Sequence, residues 1–479
     1  MKNSRVIIFF IVYNLITHLP FLNLPPVGSH VWRQCNTLAM SRNFAEEGMH
    51  ILEPRIDRRN ETNGITGSHF PLYEWGLGAI YRLTGEHYWV HRIYSLIIFS
   101  FACVAFYWIV VLLGHTSKTA IFAGALLSSI PQLYYDSINA MPDNLALSLS
   151  LWSSYYIIKN TEKPNNSNWF KALILFSLGG MIKFQYLILP LSFLIHQSAR
   201  VKSYHRTGIF IILGLVPVLM WYSYAKRLTD LNNLREYGLW IKPIELSRMI
   251  QTIGQNVLSD IPELIIGWPL AFSILLIGIR YRKSLHQIRH MYLFGSILIL
   301  FMGFYGLAIE RMGQHPYYFI SVIPLFPLLI VEMVSIGRIK TYLIISICFA
   351  NQVWAFLRII PSRWQANHYQ ISETFANPAY LRELKSMIPK SERYIVGPDL
   401  SGCIYFYFTS TKGYSFANVM ELEEIKRSES GENALDIMAK NGAKILIGNR
   451  ENTLETFMNT QDKWVLDTSY REFSIWRHP

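Results

Sequence analysis

Blocks of apolar residues long enough to cross a bilayer recur along this chain and dictate its class. A crossing helix needs about 20 mostly apolar residues. Val6 to Leu22 is the first such run, and others lie at about 93–113, 119–135, 144–158, 172–182, 184–199, 207–225, 264–279, 290–309, 312–331 and 341–357, eleven in all. Hydrocarbon offers the backbone no water, so each run is expected to be a helix. The pair at 172–199 is short and reads as a bent hairpin. Lys2 and Arg5 ahead of the first run resemble a signal peptide, but Leu24-Pro25-Pro26 follows instead of a small-residue cleavage site, so this span reads as uncleaved. Charged residues are only 16% of the chain. That excludes a disordered or collagenous chain and, with the block pattern, an ordinary soluble enzyme.

The basic surplus is a topology signal. The chain has 44 Lys+Arg against 32 Asp+Glu, a net +12. The N-terminus and the segments 114–118, 159–171, 198–206, 280–289 and 336–340 alternate along one side. They carry fifteen basic residues and one acid, Glu162, hence +14, leaving −2 for the rest. The positive-inside rule makes that side cytoplasmic. Nucleic acid is therefore not an expected partner; the partner is the lipid bilayer. Eleven crossings from a cytoplasmic start place the C-terminus outside.

Residues 358–479 are polar and long enough for a small extracytoplasmic α/β domain. Tyr394 to Val396, Ile404 to Phe408 and Lys444 to Ile447 read as strands; Pro378 to Met387 and Glu432 to Asn441 read as helices, the latter closed by Gly442. No Gly-rich phosphate loop follows a strand. The expected division is 1–357, a membrane part with a large first external loop at 23–89, and 358–479. Cys35, Cys103, Cys348 and Cys403 fit no metal spacing and read as free thiols, although Cys35 and Cys403 share the external side. Asn60-Glu61-Thr62 is a sequon, weak by itself.

Four external features could carry chemistry. The first loop is far longer than a connector requires and holds Gly28-Ser29-His30-Val31-Trp32-Arg33-Gln34-Cys35-Asn36-Thr37, a helical pattern from Ala39 to Glu47, then Pro54-Arg55-Ile56-Asp57 and Gly67-Ser68-His69-Phe70-Pro71-Leu72-Tyr73. Asp143, in Met141-Pro142-Asp143, is a carboxylate at membrane depth, which points to function; it also stands where a helix N-cap belongs, and the local pattern favours the cap. Lys183 interrupts the 172–199 stretch; it is either a snorkelling lysine or a partner for a lipid phosphate. Glu310-Arg311-Met312-Gly313-Gln314-His315-Pro316-Tyr317-Tyr318 could bind phosphate or sugar, or be an aromatic belt. One topology, derived from charge alone, gathers all four on the external face.

These motifs resemble the polytopic GT-C glycosyltransferases that use polyprenyl-phosphate sugars, the family-39-like, dolichyl-phosphate-mannose–protein mannosyltransferase type, with the lipid A aminoarabinose transferase as a relative. The residues carrying the resemblance are His30 to Thr37 with Arg42-Asn43-Phe44, Pro54 to Asp57, Phe70 to Tyr73, Met141-Pro142-Asp143, and His315 to Tyr318 with Pro324. It spans nearly all of the membrane part. It implies an undecaprenyl-phosphate sugar donor, a glycan or lipid acceptor of the cell envelope, inversion at the anomeric carbon, and a bacterial inner membrane. Asp143 matches the family acid of the second loop. A departing lipid phosphate needs cations: Arg33, Lys183, Arg311 and His315 are candidates. Trp32, Tyr317 and Tyr318 suit a sugar or isoprenoid, and His30, Gln34, Asn36 and Arg55 complete the expected binding set.

Two departures matter. The family has Asp where Asn36 stands and Glu where His69 stands. A neutral Asn36 is no base, so Asp143, Asp57 or His69 takes that role, or the acceptor is already ionised and needs none, or the chain has lost transferase activity. No cofactor is required by the pattern; a divalent cation on Asp57, His69 and Asp143 stays open. A flippase for lipid-linked glycans and a repeat-unit polymerase are the rival functions.

Overall fold

The computed structural model describes residues 3–234, 245–288, 290–313, 315–337, 342–364, 371–425, 434–450 and 452–479. Lys2, Gln314 and Glu432, named above, lie outside them, as do the side chains of Glu310 and Arg311.

Helices occupy all eleven apolar runs: Asn3–His18, Tyr88–Leu112, Ser117–Ser128 continued by Pro131–Asp136, Asp143–Glu162, Asn166–Ile182, Ile188–Val201, Tyr204–Leu231, Trp268–Arg280, Met291–Met312, Leu325–Ile336 and Tyr342–Ile359. Among the described residues, five stretches suffice alone to cross a membrane by length and composition: Asn3–Phe21, Tyr88–Leu112, Tyr204–Leu231, Met291–Ile309 and Tyr342–Trp364. At 1.5 Å per residue the 25 residues of Tyr88–Leu112 reach about 37 Å, past the roughly 30 Å of hydrocarbon. The other helices are shorter, and prolines account for one shift of boundary. The run expected at 312–331 is a 3₁₀ turn over Pro316–Ser321 followed by Leu325–Ile336, because Pro316 and Pro324 each halt a preceding helix. A helical stretch not anticipated, Leu246–Ile265, meets Trp268–Arg280 at 112°. Leu246, Ile250, Val257 and Leu258 project from it, exposed.

The long first loop is ordered by two helices, Val31–Glu47 and Leu72–Thr84. The first begins eight residues ahead of the expected start.

Five strands follow near the C-terminus: β1 (Arg393–Gly397), β2 (Gly413–Ser415), β3 (Ala443–Asn449), β4 (Val465–Tyr470) and β5 (Phe473–Arg477), in the order β2-β1-β3-β5-β4. β1 runs parallel to β2 and β3; β5 is antiparallel to β3 and β4. Alternation along the strands divides two apolar faces, as a period of two demands. Ile395 and Leu446 face Leu422, Leu435 and Leu454 on one side. Val396, Ile445 and Ile447 face Val31, Leu38, Tyr73 and Leu77 of the first loop on the other. The helix Pro378–Met387 is where the sequence placed it, and Gly442 has the expected left-handed φ of 90°.

Ile404 to Phe408 is not a strand. Ile404–Thr409 is a helix with every residue buried. Asp399 Oδ2 accepts from Tyr405 N at 3.1 Å, and Ser401 Oγ accepts from Cys403 N and Ile404 N at 3.1 and 3.2 Å. Those side chains satisfy first-turn N–H groups and override the β preference of the aromatics.

The sheet is fastened to the first loop by more than apolar contact. Gly413 N donates to Asp57 O at 3.0 Å, and Arg393 Nη1 to Asn60 O at 2.7 Å. Arg42 donates to Asp57 Oδ2 at 2.7 Å and to Tyr407 O at 3.1 Å, with both charged side chains of the pair buried. Arg42→Met should therefore strand the Asp57 carboxylate and destabilise the protein by about 3–5 kcal/mol. Thermal unfolding of the purified variant checks this.

None of the four cysteines forms a disulfide.

Candidate functional site

Asp143 is the first residue of the helix Asp143–Glu162, after Pro142, and its side chain caps nothing. The N-cap expectation is corrected by where the carboxylate goes. Lys183 Nζ donates to Oδ1 at 2.8 Å and Oδ2 at 2.6 Å, and Tyr186 OH donates to Oδ1 at 2.8 Å. Asp143 has no exposed side-chain surface, so a counter-charge is obligatory. Lys183 reaches it because the chain breaks there: the helix Asn166–Ile182 ends, Lys183 is extended, and Phe184–Leu187 turns back. Lys183 is thus an inward partner of Asp143 and no snorkelling lysine.

The lysine lies under an aromatic roof. Nζ stands 4.5 Å from the Tyr317 ring centre and 5.5 Å from that of Tyr318, a cation–π arrangement. His315 stacks on Tyr317 with ring centres 5.3 Å apart. His30 meets Tyr317 at 5.0 Å and His315 at 5.4 Å, and Trp32 lies 6.2 Å from His315. The first loop therefore closes on the late motif.

Arg33 projects from the first turn of Val31–Glu47. Its Nη2 donates to His69 Nδ1 at 3.2 Å, and its buried Nε has no hydrogen-bond partner among the described residues. His69 Nε2 meets Glu74 Oε1 at 2.7 Å, and Ser68 Oγ lies 3.1 Å from Nδ1. Glu74 is wholly buried, with Oε2 unpaired among the described residues. Burial holds the His69 pKa below the ordinary imidazole value; Glu74 opposes that shift and Arg33 adds to it. Lys183 is close enough to feel the charges of Arg33 and Asp143 as well as that of Asp136, whose Oδ2 accepts from Gln132 at 2.5 Å.

The floor under these groups is built from parts with no chemistry of their own. Gly28 is left-handed at φ 81°, with Ser29 N donating to Arg363 O at 3.0 Å and Arg363 Nη1 to Ser29 Oγ at 2.6 Å. Arg92, fully buried, donates to Leu24 O at 3.1 Å, to Pro25 O at 2.9 Å and to Asn139.

The structure brings His30, Trp32, Arg33, His69, Asp143, Lys183, His315, Tyr317 and Tyr318 together. Others of the expected set sit elsewhere. Asp57 is held between Arg42 and Asn43, whose Nδ2 donates to it at 2.8 Å, in the seam with the sheet. Arg55 pairs with Glu47 and Glu53. Gln34 turns to Val27 O and Tyr135 OH, and Asn36 is buried along its helix. Asp57, His69 and Asp143 do not suit a shared divalent cation: each has its own partner, and no group of three His, Cys, Asp or Glu side chains among the described residues has metal-binding geometry. Glu74, Tyr186 and Asp136 were missed. Tyr186 carries a faint signal, three residues after Lys183 across a helix break; Glu74 is hidden inside an apolar run.

Residues 68–221, which contain His69, Glu74, Asp143, Lys183 and Tyr186, match the sequence model of the dolichyl-phosphate-mannose-protein mannosyltransferase family. No curated protein matches the chain. Among solved structures it is similar to ArnT from Cupriavidus metallidurans bound to undecaprenyl phosphate, at TM-score 0.65 and 12% identity, covering 99% of this chain and 98% of that one. The apo state of the same ArnT gives TM-score 0.66 at 11% identity, with the same coverage. At such identity the likeness speaks for architecture: the chain is a multi-pass membrane protein with the GT-C fold, the fold of the aminoarabinose transferase ArnT.

Proposed function

We propose that this protein is an integral-membrane glycosyltransferase that moves a sugar from undecaprenyl phosphate to a cell-envelope glycan or lipid on the external face, with inversion. The observation that carries the reading is the pair of neighbouring cations, Arg33 and Lys183, the lysine beneath aromatic rings and Arg33 Nε lacking an acceptor among the described residues. A donor without an acceptor in a buried site favours an anionic ligand. The ArnT structure, which binds undecaprenyl phosphate in the same fold, supports a lipid phosphate as that ligand. Arg33, Lys183 and His315 then face the phosphate, and Trp32, Tyr317 and Tyr318 face the sugar or isoprenoid.

In this reading the chain crosses a bacterial inner membrane eleven times. Its N-terminus is cytoplasmic, residues 1–357 are catalytic, and 358–479 are an external adjunct. The sugar moves in one displacement: an acceptor oxygen attacks the anomeric carbon from the face opposite the phosphate, and the lipid phosphate leaves with the bonding electrons. Cations at the leaving oxygen lower the barrier because charge grows there in the transition state.

Binding of undecaprenyl phosphate to the protein in nanodiscs tests the phosphate site. Lys183→Met should weaken it at least tenfold, and Arg33→Gln comparably, each in the range of a charge-assisted hydrogen bond of about 1.5–3 kcal/mol. Wild-type affinity in both variants would remove the basis of the proposal. A donor-dependent product formed in detergent, with no membrane to cross, separates transfer from flipping.

A further inference from the structure

The pairing of His69 with Glu74 reads as a proton acceptor. Arg33 can only donate hydrogen bonds, so His69 Nδ1, 3.2 Å from Arg33 Nη2, must present its lone pair. Nε2 then carries the proton and donates it to Glu74 Oε1 at 2.7 Å. The tautomer follows from the partners on both sides. A buried carboxylate behind one ring nitrogen leaves the other as a base aimed forward, the orienting logic of a nucleophile–base–carboxylate relay. Glu74 is built for this: it is wholly buried, and its second oxygen has no partner among the described residues. An uncompensated buried carboxylate is costly when the imidazole is neutral and is relieved when the imidazole takes up a proton.

The other carboxylates are less suited. Both oxygens of Asp143 are engaged by Lys183 and Tyr186, and Asp57 lies in the sheet seam between Arg42 and Asn43. Asn36 offers no basic atom. Nδ1 of His69 is the basic atom beside the two cations.

On the reading of this protein as a lipid-phosphate-sugar transferase, we propose that His69 is the general base, that Glu74 positions it, and that the acceptor group is consequently an un-ionised hydroxyl rather than a phosphate. When the donor binds, its phosphate competes for the Arg33 guanidinium, and the acceptor hydroxyl takes the place of Arg33 and of Ser68 Oγ, 3.1 Å away, at Nδ1. The acceptor O–H gives its proton to Nδ1 as its oxygen bonds to the anomeric carbon. The anomeric C–O bond breaks, and its electron pair leaves on the polyprenyl phosphate, which gains one negative charge. The imidazolium formed is stabilised by Glu74 and later returns its proton to water. An acceptor phosphate, ionised at neutral pH, would need none of this.

The experiment uses the full chain in nanodiscs with undecaprenyl-phosphate-linked mannose, glucose and aminoarabinose as donors. Octyl glucoside supplies hydroxyl acceptors and octyl phosphate an ionised one. The wild type should transfer to the hydroxyl acceptor, with a rate that falls as acid protonates His69. Because burial holds its pKa down, that limb lies below the ordinary imidazole value of about 6.5. His69→Gln should lower kcat by about 10²–10⁴-fold and flatten the limb, with unchanged affinity for undecaprenyl phosphate. Glu74→Gln should lower kcat and move the limb to lower pH, since an imidazolium without its carboxylate forms less readily. A His69→Gln enzyme within threefold of wild type overturns the assignment, as does one that has lost undecaprenyl phosphate affinity. Faster wild-type transfer to octyl phosphate than to octyl glucoside overturns the acceptor class. A wild type that binds undecaprenyl phosphate yet transfers no sugar to either acceptor overturns the transferase reading itself.

Discussion

Asp143→Asn is expected to lower transfer by about 10²–10⁴-fold, the largest catalytic effect of any single change outside the base. The substitution is nearly isosteric, so the argument is one of charge. Lys183 Nζ donates to both Asp143 oxygens, and Tyr186 donates to one of them. An amide offers one acceptor and presents an NH₂ group where the ammonium expects a second oxygen. A buried charge that loses its partner costs about 3–5 kcal/mol. Lys183 then either gives up its proton or swings away from Tyr317, and in both cases the phosphate loses a cation. A double-mutant cycle with Lys183→Met separates the folding cost from the chemistry. The double variant should regain thermal stability relative to Asp143→Asn and remain inactive. Full transfer by Asp143→Asn, assayed with lipid-linked sugar, would remove Asp143 and Lys183 from the mechanism.

Gly28→Ala is expected to produce the largest loss of site integrity from a single methyl group. At φ 81° an L side chain is already strained. An ideal Cβ there would stand 1.6 Å from the Arg363 carbonyl oxygen, far inside contact distance. The loop must lift or residues 360–364 must retreat. Either movement breaks the bonds of Ser29 N to Arg363 O and of Arg363 Nη1 to Ser29 Oγ. Two buried hydrogen bonds with their partners left unsatisfied cost about 3–5 kcal/mol together. His30, Trp32 and Arg33 follow within five residues, so activity and undecaprenyl phosphate affinity should fall with the melting temperature. A wild-type melting curve for Gly28→Ala would show that the turn is not held as described.

Helix positions were readable because the lipid core leaves the backbone one option, and charge alternation between runs is independent of packing. Asp143, Lys183 and the Tyr317–Tyr318 pair stood out because polar groups at membrane depth are conspicuous. What stayed hidden depends on pairing through space. Asp57 looked like a base until Arg42 and Asn43, fifteen and fourteen residues earlier, proved to hold it. Glu74 is a single acid in a mostly apolar helix, and nothing local announces that His69 lies against it. Ile404 to Phe408 misled because an apolar aromatic run has no period to read, and the deciding groups, Asp399 and Ser401, lie before it. The short helices after Pro131 and Pro316 were merged with their neighbours for a similar reason: hydropathy registers length and passes over a proline.

The seam between the first loop and the terminal sheet has a thermodynamic consequence. Val31, Leu38, Tyr73 and Leu77 share one apolar interior with Val396, Phe406, Ile447 and Phe473, although more than three hundred residues of chain separate the two groups. Neither side can melt without hydrating the other, so the two ends of the polypeptide form one cooperative unit. Ending synthesis before residue 393 would therefore not yield a trimmed enzyme. It would leave the helix bearing Trp32 and Arg33 with its buried side facing water, and the terminal sheet serves as half of the scaffold on which those residues stand.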